Sequence, residues 1–132
     1  MKVLNFNLNL YLFIVKGIQI YCAPNADDHE TWVSTMKHIA LEGRCFVLSS
    51  VQFTRRCDNQ KSFVPGLDGK DEQFIVIRGG SCIINPFGEI IAGPNYDSEI
   101  ILYANLDLND IVRGKFEFDV VGHYSRPDVF TL

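Results

Sequence analysis

Apolar and polar residues change rhythm several times along this chain. From Leu4 to Leu10, apolar residues alternate with Asn5, Asn7 and Asn9, a period of two that predicts a strand. Residues 17–22 (GIQIYC) form a short apolar, β-branched run, read as a buried strand that Pro24 stops. The rhythm then turns helical. Trp32, Met36, Ile39 and Ala40 share one stripe at helical spacing and predict a helix over residues 28–43. Asp27 stands where a cap belongs, Glu30 completes a capping-box pattern, and Gly43 supplies a stop. Glu30, Lys37 and Arg44 fall off the stripe, toward water.

Residues 45–53 (CFVLSSVQF) predict one mostly buried strand, and residues 54–72 one long polar surface loop carrying Pro65, Gly66 and Gly69. Residues 74–77, 81–85 and 89–92 then read as strands. Pro86-Phe87-Gly88 turns between the last two, and Gly93-Pro94-Asn95 makes the next turn. Residues 99–105 predict a further strand and 108–116 a short helix with Asp107 near its start. The tail, 119–132, is irregular. Hairpin-linked strands mixed with helices predict an α+β domain, with a helix packed on a sheet.

Composition narrows the function classes. With 132 residues the chain is long enough for one domain and a core. A hydrophobic share of 47% excludes disorder, and a formal charge of -4 argues against a nucleic-acid partner, which needs clustered Lys and Arg. Arg55-Arg56 reads as a solvated loop pair. The start is a poor signal peptide, interrupted by asparagine, and the apolar run from Leu10 to Val15 is far short of the roughly 20 residues that span a bilayer. The four cysteines show no CxxC and no zinc spacing. Cys22, Cys45 and Cys82 lie in apolar runs and read as reduced core thiols, which places the chain in the cytoplasm.

Three stretches carry more than composition. They are IYCAPNADDHETWVSTMKHIALEGRCFVLSSVQF (20–53), RGGSCIINPFGEIIAGPNYDSE (78–99) and DLNDIVRGKFEFDVVGHYSRPDVF (107–130). In that order they resemble the nitrilase branch of the carbon–nitrogen hydrolases. The matching parts there are the strand, loop, helix and strand after the nucleophile, the PFG hairpin with its AGP turn, and the carboxy-terminal signature. The resemblance implies the C-terminal half of that family's α-β-β-α sandwich over residues 17–132. Residues 1–16 form an atypical segment where the family has a helix, from an unusual beginning or a truncated gene product. Gly79-Gly80 allows close backbone approach, and Pro127 fixes an extended tail.

The resemblance also implies a chemistry. In nitrilases a cysteine thiolate attacks the nitrile carbon, a glutamate serves as base and acid, and a lysine stabilises developing charge. The family's motifs for all three precede Gly17, and no C-W-E-N occurs here, so no catalytic residue is assigned. Asn25, Trp32 and Glu42 match positions that support the substrate pocket, with a helix-end role the plainer reading of Glu42. Cys22 as nucleophile and a Cys45–His38 pair are weak substitutes, and His123 reads as a hydrogen-bonded packing residue. No metal or cofactor is implied. The implied partners are a small-molecule nitrile in the complete enzyme, and either a homo-oligomer or association with full-length nitrilase subunits. Neither nucleic acid nor membrane is implied. The alternative is a non-catalytic remnant that binds such subunits.

Overall fold

The computed structural model describes residues 6–58, 71–126 and 128–129. In chain order the elements are α1 (Phe6–Val15), β1 (Ile20–Asn25), α2 (Glu30–Gly43), β2 (Phe46–Val51) and β3 (Phe53–Arg55). A turn of 3-10 helix at Arg56–Asp58 follows, then β4 (Ile75–Arg78), β5 (Ser81–Ile84), β6 (Ile90–Asn95) and α3 (Asn109–Glu117). The main sheet has the order β1-β2-β5-β6, and β3 pairs with β4 separately. β1 runs parallel to β2, with α2 as the crossover, while β5 and β6 are antiparallel additions. The helices α1 and α2 stack on one side of this sheet, which makes the mixed, partial sandwich expected.

The core lies between α2 and the sheet. Met36, Ile39 and Ala40 from the predicted stripe are fully buried against Val47, Cys82 and Ile84. Trp32 is only partly buried, and Val33 takes its place in the core. The helix begins one step later than the capping pattern suggested. His29 is its N-cap, without a side-chain cap bond, because the Asp27 carboxylate turns onto His29 instead. The stop also differs. Gly43 stays helical, since a Cβ there would stand 3.1 Å from Cys45 Sγ, and Arg44 takes the left-handed position at φ 44°. Arg44 is half-buried rather than solvated, and donates from its guanidinium to the Pro86 carbonyl at 3.2 Å.

Several strand expectations are corrected. The amino-terminal alternation is a helix: Leu10 and Ile14, four residues apart, are buried and form the seam to α2. β1 starts later than predicted and runs through Pro24, which an edge strand tolerates because one row of its N–H groups has no ladder to serve. At that edge Cys22 is exposed, so it is not a core thiol. The predicted strand 45–53 breaks at Gln52, and its end joins the second sheet as β3. Thr54 and Arg55 therefore leave the predicted loop, of which residues 59–70 lie outside the described residues. Residues 93–95 do not turn: β6 continues through them, with register shifts against β5. Residues 99–105 are extended but belong to no ladder.

The hairpin turn is as expected, and Asn85 is what closes it. Its buried Oδ1 accepts the N–H groups of Phe87 and Glu89, both at 3.0 Å. Gly80 and Gly93 show why glycine is needed: a Cβ on Gly80 would lie 2.7 Å from the Tyr96 ring, and one on Gly93 would collide with the Ser81 carbonyl. α3 seats its buried Gly114 over the Arg44 side chain and Pro86. His123 is exposed, its ring tilted against Tyr124 at 4.8 Å, rather than a packing residue. Pro127 lies outside the described residues. No helix among the described residues is long and apolar enough to cross a membrane.

Candidate functional site

Parallel pairing sends the carboxyl ends of β1 and β2 to the same end of the sheet, the usual place for a ligand beside parallel strands. Antiparallel β5 begins there and β6 ends there. Asn25 sits opposite Val51, Val51 bonds to Ser81, and Ser81 sits opposite Asn95, so these four residues form a row across the sheet end. A cavity of about 210 Å³ opens along this row, lined among others by Ser50, Val51, Ser81, Asn95, Ser98 and Glu99.

The row is held by side chains where the ladder fails. Pairing of β2 with β5 stops at Ser49 and Cys82. Beyond it, the Ser81 hydroxyl accepts the Val51 N–H and donates to the Val51 carbonyl, each at 2.9 Å. Both backbone groups of Val51 are thereby satisfied at the point where the strand leaves for the second sheet. Asn95 plays a similar part: its Oδ1 accepts the N–H groups of Asp97 and Ser98, at 3.4 and 3.2 Å.

Of the sequence-selected residues, Asn25 and Trp32 come to this end. The Asn25 Nδ2 is buried with no hydrogen-bond partner among the described residues. Trp32, in the first turn of α2, donates its indole N–H to the buried Ser49 hydroxyl at 3.0 Å and ties the helix to β2. Glu42 is elsewhere. Ten residues of helix separate it from Trp32, about 15 Å at the helical rise. It pairs with His38 at 3.2 Å on an exposed face.

The loop between β1 and α2 carries Asp27, Asp28 and His29, whose donor atoms lie within 4.8 Å of one another. Their bonds serve the loop itself. Asp27 accepts the backbone N–H of His29 at 3.0 Å and meets its Nδ1 at 2.7 Å. Asp28 accepts the Arg78 N–H at 2.9 Å. The hydrogen bonds from His29 hold the Asp27 carboxyl below its ordinary value, and the same side-chain bond lifts His29 above its own. The Arg78 guanidinium lies over the Tyr96 ring at 4.5 Å.

The thiols do not assemble a nucleophile with these groups. Cys45 and Cys82 are at 0% exposure, and burial pushes Cys45 up to about 11 and raises Cys82 in the same direction. His38, the partner imagined for Cys45, faces Glu42 instead. Cys22 and Cys57 are exposed.

Residues 4–116 match the family model described as carbon–nitrogen hydrolase. The chain belongs to that family. It is 54% identical over 117 residues to a nitrilase of Bradyrhizobium diazoefficiens, covering 89% of this chain and 36% of that protein. A bifunctional nitrilase/nitrile hydratase of Lupinus angustifolius is 52% identical over 121 residues, covering 89% of this chain and 35% of that one. The chain thus spans about a third of the length of the curated relatives it matches. Its fold is that of the carbon–nitrogen hydrolase from Helicobacter pylori, with a TM-score of 0.68 at 17% identity over 93% of this chain and 43% of that one.

Sequence reasoning missed Ser50, Ser81 and Asn95 as lining residues. The signal available was their polarity at the ends of apolar strands, in VLSSV, GGSCII and AGPN.

Proposed function

We propose that this chain supplies the carboxy-terminal half of a carbon–nitrogen hydrolase that converts a nitrile to a carboxylic acid and ammonia. The observation that carries this is the identity of about half over 89% of the chain to proteins named as nitrilases. In the reaction the family performs, a thiolate adds to the nitrile carbon to give a thioimidate. One water adds and ammonia leaves, and a second water releases the acid and the thiolate. The thiol, the acid–base glutamate and the lysine come from polypeptide outside these 132 residues. The part of this chain is to shape one wall. Asn25 offers a buried amide with no partner, Trp32 fixes α2 to β2, and Glu42 serves the helix end. Four free thiols fit a reducing cytoplasm.

The test is ammonia release from aliphatic, aromatic and cyano-amino-acid nitriles, with amide formation followed in parallel. Purified chain alone is expected to release none. Co-expressed with the portion of the Bradyrhizobium relative that it does not match, it is expected to release ammonia. Turnover by the chain alone, with a covalent adduct on one of its own sulfurs, would overturn the reading.

A second reading is a non-catalytic chain that associates with nitrilase subunits. It is favoured by the large exposed side chains Ile101, Tyr103, Val112 and Phe116. A complex that forms without ammonia release selects it.

A further inference from the structure

Residues 99–106 have the conformation of a strand and lack its partner. Leu102, Ala104 and Leu106 are partly buried, while Ile101 at 73%, Tyr103 at 81% and Asn105 are exposed, the alternation of a half-covered strand. The inner face is anchored: Leu102 lies over β6, its Cδ1 3.0 Å from where a Gly93 Cβ would stand. The backbone is not. Among the described residues, none of 99–106 takes part in a backbone–backbone hydrogen bond. A row of unpaired N–H and C=O groups beside exposed apolar side chains is a template for strand addition.

The next element repeats the signal. On α3, Ile111 and Gly114 are buried, but Leu108, Val112 and Phe116 form a second apolar stripe at i, i+4 and i+8. Phe116 is 87% exposed and Val112 69%. A monomer rarely leaves two successive elements with an apolar side in water.

We infer that residues 99–106 are a docking strand. Their ladder partner is an extended, alternately apolar segment of carbon–nitrogen hydrolase polypeptide that this chain does not contain. The occupant follows from length. The chain accounts for 36% of a matched relative and 43% of a structurally similar chain, and the open edge lies inside the matched fold. A second copy of this chain would bring the same 132 residues and none of the unmatched fold. The inference rests on family membership and is independent of the reaction proposed above.

The test is hydrogen exchange on the full chain, alone and co-expressed with the unmatched portion of the Bradyrhizobium relative. Alone, the amides of 100–106 are expected to exchange at near-unprotected rates; in the complex they slow by about 100-fold or more. The double variant Ile101→Asp/Tyr103→Asp changes two exposed side chains. It is expected to keep the circular dichroism of the native chain and to weaken the complex by about 30-fold. The milder Ile101→Ser/Tyr103→Ser is expected to weaken it less. A complex without protection at 100–106, or one that the aspartates leave equally tight, overturns the inference. So does protection already present in a self-associated chain, which would make a second copy the occupant. Protection without ammonia release would leave the docking strand standing and remove the proposed reaction; ammonia release without protection would do the reverse.

Discussion

Cys45 and Cys82 share the core with Met36, Val47 and Ile84, and a thiolate there would lose its hydration with no cation in contact. That is why the first of them is pushed up to about 11 and the second is raised in the same direction. In the native chain, iodoacetamide near neutral pH is expected to label Cys22 and Cys57 and to spare Cys45 and Cys82 until denaturant is added; mass mapping of native Cys45 adducts would contradict this. Asp27 and His29 make a second residue-scale case. Their bond favours both charged forms. The histidine contribution is complete below its ordinary 6.5 and fades as pH rises through its raised value. The aspartate contribution is present above its ordinary 3.8 and is lost as pH falls through its lowered value. Asp27→Asn is expected to bring the His29 titration back toward 6.5 in an NMR titration, and an unmoved midpoint would remove the pair. The cluster was legible as polar residues before a helix. Which of them would cap it was not, because the choice depends on where the Asp27 side chain finds donors.

At the scale of elements, the hairpin between β5 and β6 depends on one side chain. Asn85 Oδ1 takes two backbone donors while its Nδ2 donates to Glu89 at 2.9 Å, all within a nearly buried turn. Asn85→Ala is expected to cost about 2 kcal/mol, read as a lower urea midpoint with unchanged slope, because it strands buried donors. Asn85→Asp keeps the acceptor but sets a charge beside Glu89, and belongs between the two. The PFG turn was readable from its proline and glycine; the role of Asn85 was not, since its bonds exist only once the strands have met. The same distinction explains the split of residues 45–53. Their apolar run marks a strand, but the move to a second sheet at Gln52 is set by the Ser81 hydroxyl clamping Val51.

For the molecule as a whole, the helix-covered side and the open side behave differently. α2 closes one face of the sheet with a nearly dry core, as its stripe foretold. The stretch after β6 has no such cover, and Ile101, Tyr103, Val112 and Phe116 remain in water. Burial of such side chains is worth about 1.5–3 kcal/mol each, so an edge of this kind has a strong drive to acquire a partner. Ammonia release only on complementation, and protection of 100–106 in the same complex, are the expected outcomes at this scale. The cavity along Asn25, Val51, Ser81 and Asn95 lies at the sheet end where a completed fold would enclose a ligand.

By itself, the sequence determined the family, the mixed α and β architecture, the α2 stripe and the hairpin turn. Each of these is written in residue type and local period, which need no distant neighbour. Tertiary structure decided that the amino-terminal alternation is helical, that β1 tolerates Pro24 and exposes Cys22, and that Glu42 stands far from Asn25 and Trp32. It also decided that residues 99–106 stay extended without a ladder. These depend on which surfaces meet: an edge strand, a helix seam and an unpaired backbone are properties of contacts, and a one-dimensional pattern of polarity does not specify contacts.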